Sequence, residues 1–294
     1  MFSEQRATKH DILAKVIARP EFVGSLHDNE MARSLGYAAA LVPGIDLYAY
    51  LARLTLHTWG EQWLSKGTLA STSLRPVYDG DHLVVYASRV QVNGRGKSVD
   101  LAIHNSTGTM VARGSASLVS NGLPPPDLSL FPVLPRPSVI PSGAPQALTP
   151  SMRFSSIAEE VSASKAARQV EEFLETSPIY ARGGIIHPAY LQRAALRNAH
   201  ASFAHATPPI YVSAEGHHFS PARIGERIDI SGAITRLWER KGHHYMESEQ
   251  LVIANGERAV MLIRRTTIYQ ARQEATSAMP NAGSANRAPE NTSR

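Results

Sequence analysis

The 294-residue sequence predicts an α+β protein made of two copies of one unit, each an antiparallel sheet wrapped around a long helix. Three observations carry that expectation. First, a pattern set down over residues 42–119 returns in order over 186–269. Gly44 and Pro188 stand 144 residues apart, Gly80 and Gly225 145, Gly96 and Gly242 146, Gly108 and Gly256 148. A drift that grows at the turns is what loop insertions leave between diverging copies. Second, each half runs an apolar helical stretch into four β runs bounded by Gly, Asn or Asp. Third, a proline-rich stretch divides the halves.

Taken in order, Asp11–Phe22 alternates loosely and is expected as a first strand, with Ile12, Val16 and Ile17 on its apolar side. Asp28–Leu35 has helical spacing and stops at Gly36. Ile45–Leu64 is the long helix; its first ten residues are apolar almost all round, so it should be buried on most sides. Trp59 and Trp63 would form its packing edge. Thr68–Val77, His82–Val92, Ser98–Asn105 and Thr109–Leu118 are expected as consecutive antiparallel strands. The first unit then spans 1–122 and a semi-extended proline-rich linker 123–150, where repeated prolines fix φ and remove donors. The second unit spans 151–270, with helices Ser162–Leu174 and Ala189–Ala204 and strands Ile210–Phe219, Arg227–Trp238, His243–Ile253 and Ala259–Tyr269. Residues 271–294, rich in Ala, Ser, Asn and Pro, are expected to be a disordered tail.

Composition excludes more than it assigns. The net charge of +5 is spread without a basic block or interleaved aromatics, so no nucleic-acid partner is expected. With no cysteine, disulfides, thiolate nucleophiles and Cys-ligated metals are out. No apolar h-region opens the chain and no run matches a membrane span, so the expectation is a cytoplasmic protein with no membrane partner. His217-His218 and His243-His244 fall on strands, where neighbours face opposite sides, so neither pair can chelate and no metal is expected.

Several segments carry chemistry. His27-Asp28-Asn29-Glu30-Met31-Ala32-Arg33-Ser34-Leu35-Gly36-Tyr37 is followed by Leu41-Val42-Pro43-Gly44 and later by Arg75-Pro76-Val77-Tyr78-Asp79-Gly80-Asp81. In the second half stand Ser177-Pro178-Ile179-Tyr180, Ile185-Ile186-His187-Pro188 and Pro221 with Gly225-Glu226. These segments resemble the MaoC-like hydratase/dehydratase family, and the resemblance covers most of 10–270 outside the linker. It implies a double hot-dog fold and an acyl-thioester substrate, acyl-CoA or acyl-carrier-bound, with no cofactor besides that thioester. A homodimer of chains or a hetero-oligomer with another hot-dog subunit is the expected assembly. Family hydratases carry Asp, four residues, then His, which position and deprotonate a water attacking an enoyl thioester. Here the sequence departs from the pattern. Glu175 and Tyr180 hold those positions in the second copy, and in the first copy the count back from His27 reaches Phe22.

His27 beside Asp28 is what general acid/base work near neutral pH needs; the same residues suit an exposed loop pair in which Asp28 or Asn29 caps a helix. Gly44, after Pro43, can offer a helix-end N–H to a thioester oxygen, or simply allow close backbone approach. At the matching position Pro188 has no N–H. Glu175, Tyr180 and His187 are substrate-pocket candidates, with Glu175 a base if buried; alternatively Tyr180 packs its ring and His187 caps the helix that Pro188 begins. The leading expectation is a 2-enoyl/3-hydroxyacyl thioester hydratase/dehydratase using His27, Asp28 and Gly44. A hot-dog acyl-CoA thioesterase and a non-catalytic thioester-binding subunit are the alternatives.

Overall fold

The computed structural model describes residues 8–205 and 208–272. The first half runs β1 (Thr8–Leu13), α1 (Asn29–Ser34), α2 (Gly44–Trp59), α3 (Trp63–Lys66), β2 (Gly67–Ser73), β3 (His82–Ala87), β4 (Gln91–Asn93), β5 (Gly96–Asn105) and β6 (Met110–Val119). The second half runs β7 (Ile157–Glu160), α4 (Ala163–Glu172), α5 (Pro178–Ala181), α6 (Pro188–Ser202), β8 (Ile210–His218), β9 (Arg227–Arg240), β10 (His243–Ala254) and β11 (Arg258–Gln270). All but two residues of the expected tail lie outside the described residues.

All the strands belong to one antiparallel sheet ordered β1-β3-β5-β6-β2-β8-β11-β10-β9-β7, with β4 on β5. The two expected sheets are therefore the halves of one continuous sheet. Their seam is the β2–β8 ladder, from Thr68 opposite His217 to Thr72 opposite Ser213. Joining there satisfies backbone groups that each half alone would leave on an open edge. Helix α2 packs on strands of the first half and on β8, α6 packs on β9, β10 and β11, and the two helices touch each other.

The repeat read in the sequence returns as repeated hydrogen bonds. The Val42 amide donates to Val77 O at 2.8 Å, as Ile186 does to Ala222 O at 2.8 Å. Gly80 donates to Ala14 O and Gly225 to Val161 O in the same relation. In both halves these bonds hold the strand-to-strand crossover against the segment that leads into the central helix, and so fix where that helix begins.

Several boundaries differ from expectation, each for a local reason. The first strand stops at Leu13 because the Val16 amide is taken by Asp79 Oδ1 at 2.7 Å, and Pro20, lacking an N–H, starts a 3-10 turn instead. Helix α2 ends at Trp59 because Gly60 turns to φ 67°, so Trp59 and Trp63 sit on separate helices. β2 and β3 are not paired; β2 crosses to the far side of β6. The proline-rich segment is docked rather than spanning free space: Phe131 is buried with Leu251, Ile253 and Leu262, and Leu148 with Phe154 and Phe203.

Candidate functional site

Helix α2 is buried along nearly its whole length, Ile45, Leu47, Leu51 and Leu54 among the apolar residues, and its first turn reaches a junction of both halves. The segment before it is held by Leu26 and His27. The Leu41 amide donates to Leu26 O at 2.9 Å, and His27 Nδ1 lies 2.8 Å from Leu41 O. A carbonyl can only accept, so Nδ1 carries the hydrogen and Nε2 presents its lone pair. Nε2 has no hydrogen bond within the described residues, and His27 as a whole is half-buried. Burial lowers its pKa below the usual value despite the Leu41 carbonyl, and the nearby Arg19 and Arg193 charges lower it further. His27 is thus a neutral imidazole, its basic nitrogen unused, hydrogen-bonded to Leu41, which precedes the start of α2 by three residues.

At that start, neither the Gly44 nor the Ile45 amide finds an acceptor among the described residues. Gly44 has a packing reason as well. A Cβ there would lie 2.3 Å from Tyr211 Cδ1, so the ring of Tyr211 lies against the helix end, its hydroxyl 2.9 Å from Ser71 Oγ. Asp28 turns away from His27. Its carboxylate accepts from Glu30 N at 2.8 Å and from Gly24 N at 3.2 Å, which caps α1 and keeps its pKa low. The expected His27–Asp28 side-chain pair is therefore not formed; Asp28 braces the loop that carries His27.

A solvent-open cleft of about 340 Å³ lies between residues 17–21 and α4, with Arg19, Arg168 and Glu172 in its walls. The Arg19 guanidinium sits 4.9 Å over Phe22, whose ring is 4.7 Å from His27. The position that the first-half count reached as Phe22 is thus the ring against which the histidine packs.

The second-half trio does come together. Glu175 Oε2 stands 3.6 Å from His187 Nε2, and both side chains are sealed, 2% and 1% exposed. His187 Nδ1 accepts from Ala189 N at 3.1 Å, capping α6, so its Nε2 carries the hydrogen that faces the carboxylate. Tyr180 and Phe173 sandwich the imidazole at 4.6 and 4.8 Å. Glu175 Oε1 accepts from the Thr176 and Ser177 amides, and Arg53 of α2 clamps the same loop through Leu174 O and Thr176 Oγ1. Burial pushes the Glu175 carboxyl up, but the facing His187 imidazole and the hydrogen bonds from these amides outweigh it and leave Glu175 below its usual pKa, an ionised carboxylate. This cluster locks the loop before α6 to the first half. His217 pairs with Glu215, while His218 is buried against Trp63, so the adjacent histidines do face opposite sides.

One group near the helix end was missed in the sequence. Asp46, in the first turn of α2, is buried; burial raises its pKa to about 6 against the pull of Arg193, whose Nη2 donates to Oδ1 at 3.0 Å. Arg193 also meets Glu172 at 2.7 Å, and Glu172 meets Arg19 at 3.1 Å. The signal was available: a carboxylate inside an otherwise apolar helix run requires a buried cation, and Arg193 occupies the corresponding stretch of α6.

No protein-family model matches the sequence, and no curated protein matches it. Solved structures do match by shape. A protein of Chloroflexus aurantiacus J-10-fl, described as a MaoC domain protein dehydratase, superposes with a TM-score of 0.65 at 13% identity over 91% of this chain and 95% of that one. RV0216 of Mycobacterium tuberculosis, with a double hotdog fold, gives 0.61 at 15% identity over 90% and 96%. A protein of Lactobacillus plantarum described as an oleoyl thioesterase gives 0.51 at 9% identity over 92% and 99%. The chain has the double hot-dog fold found in MaoC-like dehydratases, and the same architecture also occurs with a thioesterase description.

Proposed function

We propose that the protein hydrates a 2-enoyl thioester, or dehydrates the corresponding 3-hydroxyacyl thioester, at the junction of His27 and the start of α2. One observation carries the reading: a neutral histidine, its tautomer set by Leu41 O, is hydrogen-bonded to the segment leading into a helix end whose Gly44 and Ile45 amides have no acceptor among the described residues. In the hydration direction, water bonds through oxygen to C3 as His27 Nε2 takes its proton. The electron pair displaced onto the thioester oxygen meets the Gly44 N–H and the positive end of the helix. The proton then passes from His27 to C2, and the imidazole returns to neutral. A depressed pKa keeps the histidine able to accept a proton at pH 7. Asp28 acts as a positioning residue through the loop. Glu175, Tyr180 and His187, sealed together, support the junction from the second half by holding the loop before α6, and the substrate is carried by CoA or an acyl carrier.

The test is turnover of crotonyl-CoA and longer enoyl-CoA substrates by the purified chain, with thiol release followed in parallel. His27→Ala is expected to lower hydration by about 10²–10⁴ with the fold intact. Loss of activity in Tyr180→Phe or Glu175→Gln with His27→Ala unaffected would place the chemistry in the second half and overturn the assignment. Hydrolysis is the second reading, supported by Asp46. A buried carboxylate with a pKa near 6 on the same helix turn suits a base that activates water, and thiol release abolished by Asp46→Asn is its signature.

A further inference from the structure

Away from His27, the space between the C-terminal half of α6 and strands β10 and β11 holds a small cavity of about 10 Å³, room for one water-sized particle. Its polar lining is made of His200, His205, Ser248, Arg265, Thr267 and Tyr269, and no acidic side chain lines it among the described residues. Arg265 is 2% exposed. Its place in β11, opposite Ser248 on β10 and Ala214 on β8, turns it inward while its neighbour Arg264 faces solvent and pairs with Glu249. Nη2 donates to Gln192 O at 2.6 Å and to Gln192 Oε1 at 2.7 Å, both neutral acceptors. Nε and Nη1 are buried and have no partner among the described residues. No carboxylate pairs with this guanidinium among the described residues, which makes it unlike Arg193 in the same core. Burial lowers its pKa only to about 10, so it remains charged at pH 7.

The two histidines extend the same pattern. Among the described residues, His200, in the last turn of α6, has a buried and unpartnered Nε2, and both ring nitrogens of His205 are buried and unpartnered. Their rings lie edge to face at 5.6 Å. Each neutral imidazole still offers one N–H, so a buried cation and two ring donors, with three hydroxyl-bearing residues, line a space with no negatively charged side chain among the described residues. A fixed, desolvated cation with unused N–H groups is costly unless an anion completes it.

We propose that this cavity is a binding site for a halide-sized monovalent anion, held by Arg265, His200 and His205 at the end of α6. The anion supplies the charge the core lacks and ties α6 to β11. The site is separate from the His27 junction and does not depend on the reaction assigned there. The size of the cavity favours a single atom over a tetrahedral oxyanion.

The experiment is thermal unfolding of the full chain at constant ionic strength, with potassium gluconate replaced stepwise by chloride, bromide, formate or sulfate. Tm should climb with the logarithm of chloride or bromide concentration, on the order of 3 °C between 1 and 100 mM. Sulfate should give no such rise. Formate reproducing the halide effect would make the carboxylate group the better fit and replace the halide assignment. Arg265→Met should flatten the chloride response; if that variant does not fold, His205→Phe, at the half-buried rim, should weaken the response at least several-fold. A bromide-soaked crystal should place an anomalous peak within contact of Arg265. Equal Tm in gluconate and chloride, an undiminished response in Arg265→Met or His205→Phe, or a water with no anomalous signal in the cavity would each overturn the proposal.

Discussion

Gly44 stands where helix α2, the Tyr211 ring and the candidate chemistry meet, and Gly44→Ala separates its packing role from its backbone role. A Cβ at this position would lie 2.3, 2.8 and 3.0 Å from three atoms of the Tyr211 ring. Ordinary carbon contacts need roughly 3.5–4.0 Å, so the ring must retreat by more than about 1 Å. It cannot do so freely, because its hydroxyl is 2.9 Å from Ser71 Oγ on β2 and its backbone is paired with Thr267 on β11. Overpacking costs about 1–3 kcal/mol and the strained hydrogen bond about 0.5–1.5 kcal/mol, so the substitution should destabilise by about 2–4 kcal/mol. The helix propensity gained over glycine, under about 1 kcal/mol, does not offset this. In a Tyr211→Ala background the new methyl meets space, and the same change should cost less than about 0.5 kcal/mol. Urea unfolding of the four proteins of this cycle measures a coupling of about 2–3 kcal/mol. Equal cost in both backgrounds, or a silent Gly44→Ala, would refute the packing argument, since alanine keeps the same backbone amide.

Acid should weaken the fold. Burial lowers the pKa of His218 to about 3, with the His217 and His187 charges adding to it, and it also lowers His187 and His27. Because the unfolded chain takes up protons from about pH 6.5 downward and the folded one refuses them, stability falls as pH drops below that value. At pH 5 His218 alone accounts for about 2 kcal/mol, so His218→Gln should shrink the pH 7 to pH 5 difference in urea stability by that amount; an unchanged difference would sink the argument. Asp46 works in the opposite sense, since a raised carboxyl pKa adds stability as pH falls from about 6 toward 4. Arg53→Ala removes the clamp on Leu174 O, Thr176 Oγ1 and Glu175, and should cost about 1–3 kcal/mol. It should also speed proteolytic cleavage near 174–177; wild-type resistance there would show that Arg53 is not what holds the loop.

What the sequence made legible was periodicity and punctuation. The repeat, the buried α2 and the long strands β8, β10 and β11 follow from apolar spacing and from glycine at turns such as Gly80 and Gly225. Pairing was not legible, because β2 could meet β3 or β6 with the same alternation; only the β8 edge of the other half decides it. Of the site residues, Asp28 and His187 cap helices, a role their types share with catalysis, so residue identity alone could not choose between them. Glu175, Tyr180 and His187 do converge, through a loop closure between halves that local spacing cannot encode. Asp46 and Arg193 were overlooked because each looks like an isolated polar residue until the two helices are laid side by side.

The β2–β8 seam has a further meaning for how this molecule can change. Were the two halves separate copies of a single gene product, a substitution at the start of the central helix would strike both ends of the assembly at once. Covalent continuity removes that symmetry. Pro43-Gly44 and His187-Pro188 now mutate as unrelated positions, so one helix end can lose its amide to proline while the other keeps it. The freed end is then available for other uses, here a buried carboxylate–imidazole lock whose arginine clamp comes from the opposite half.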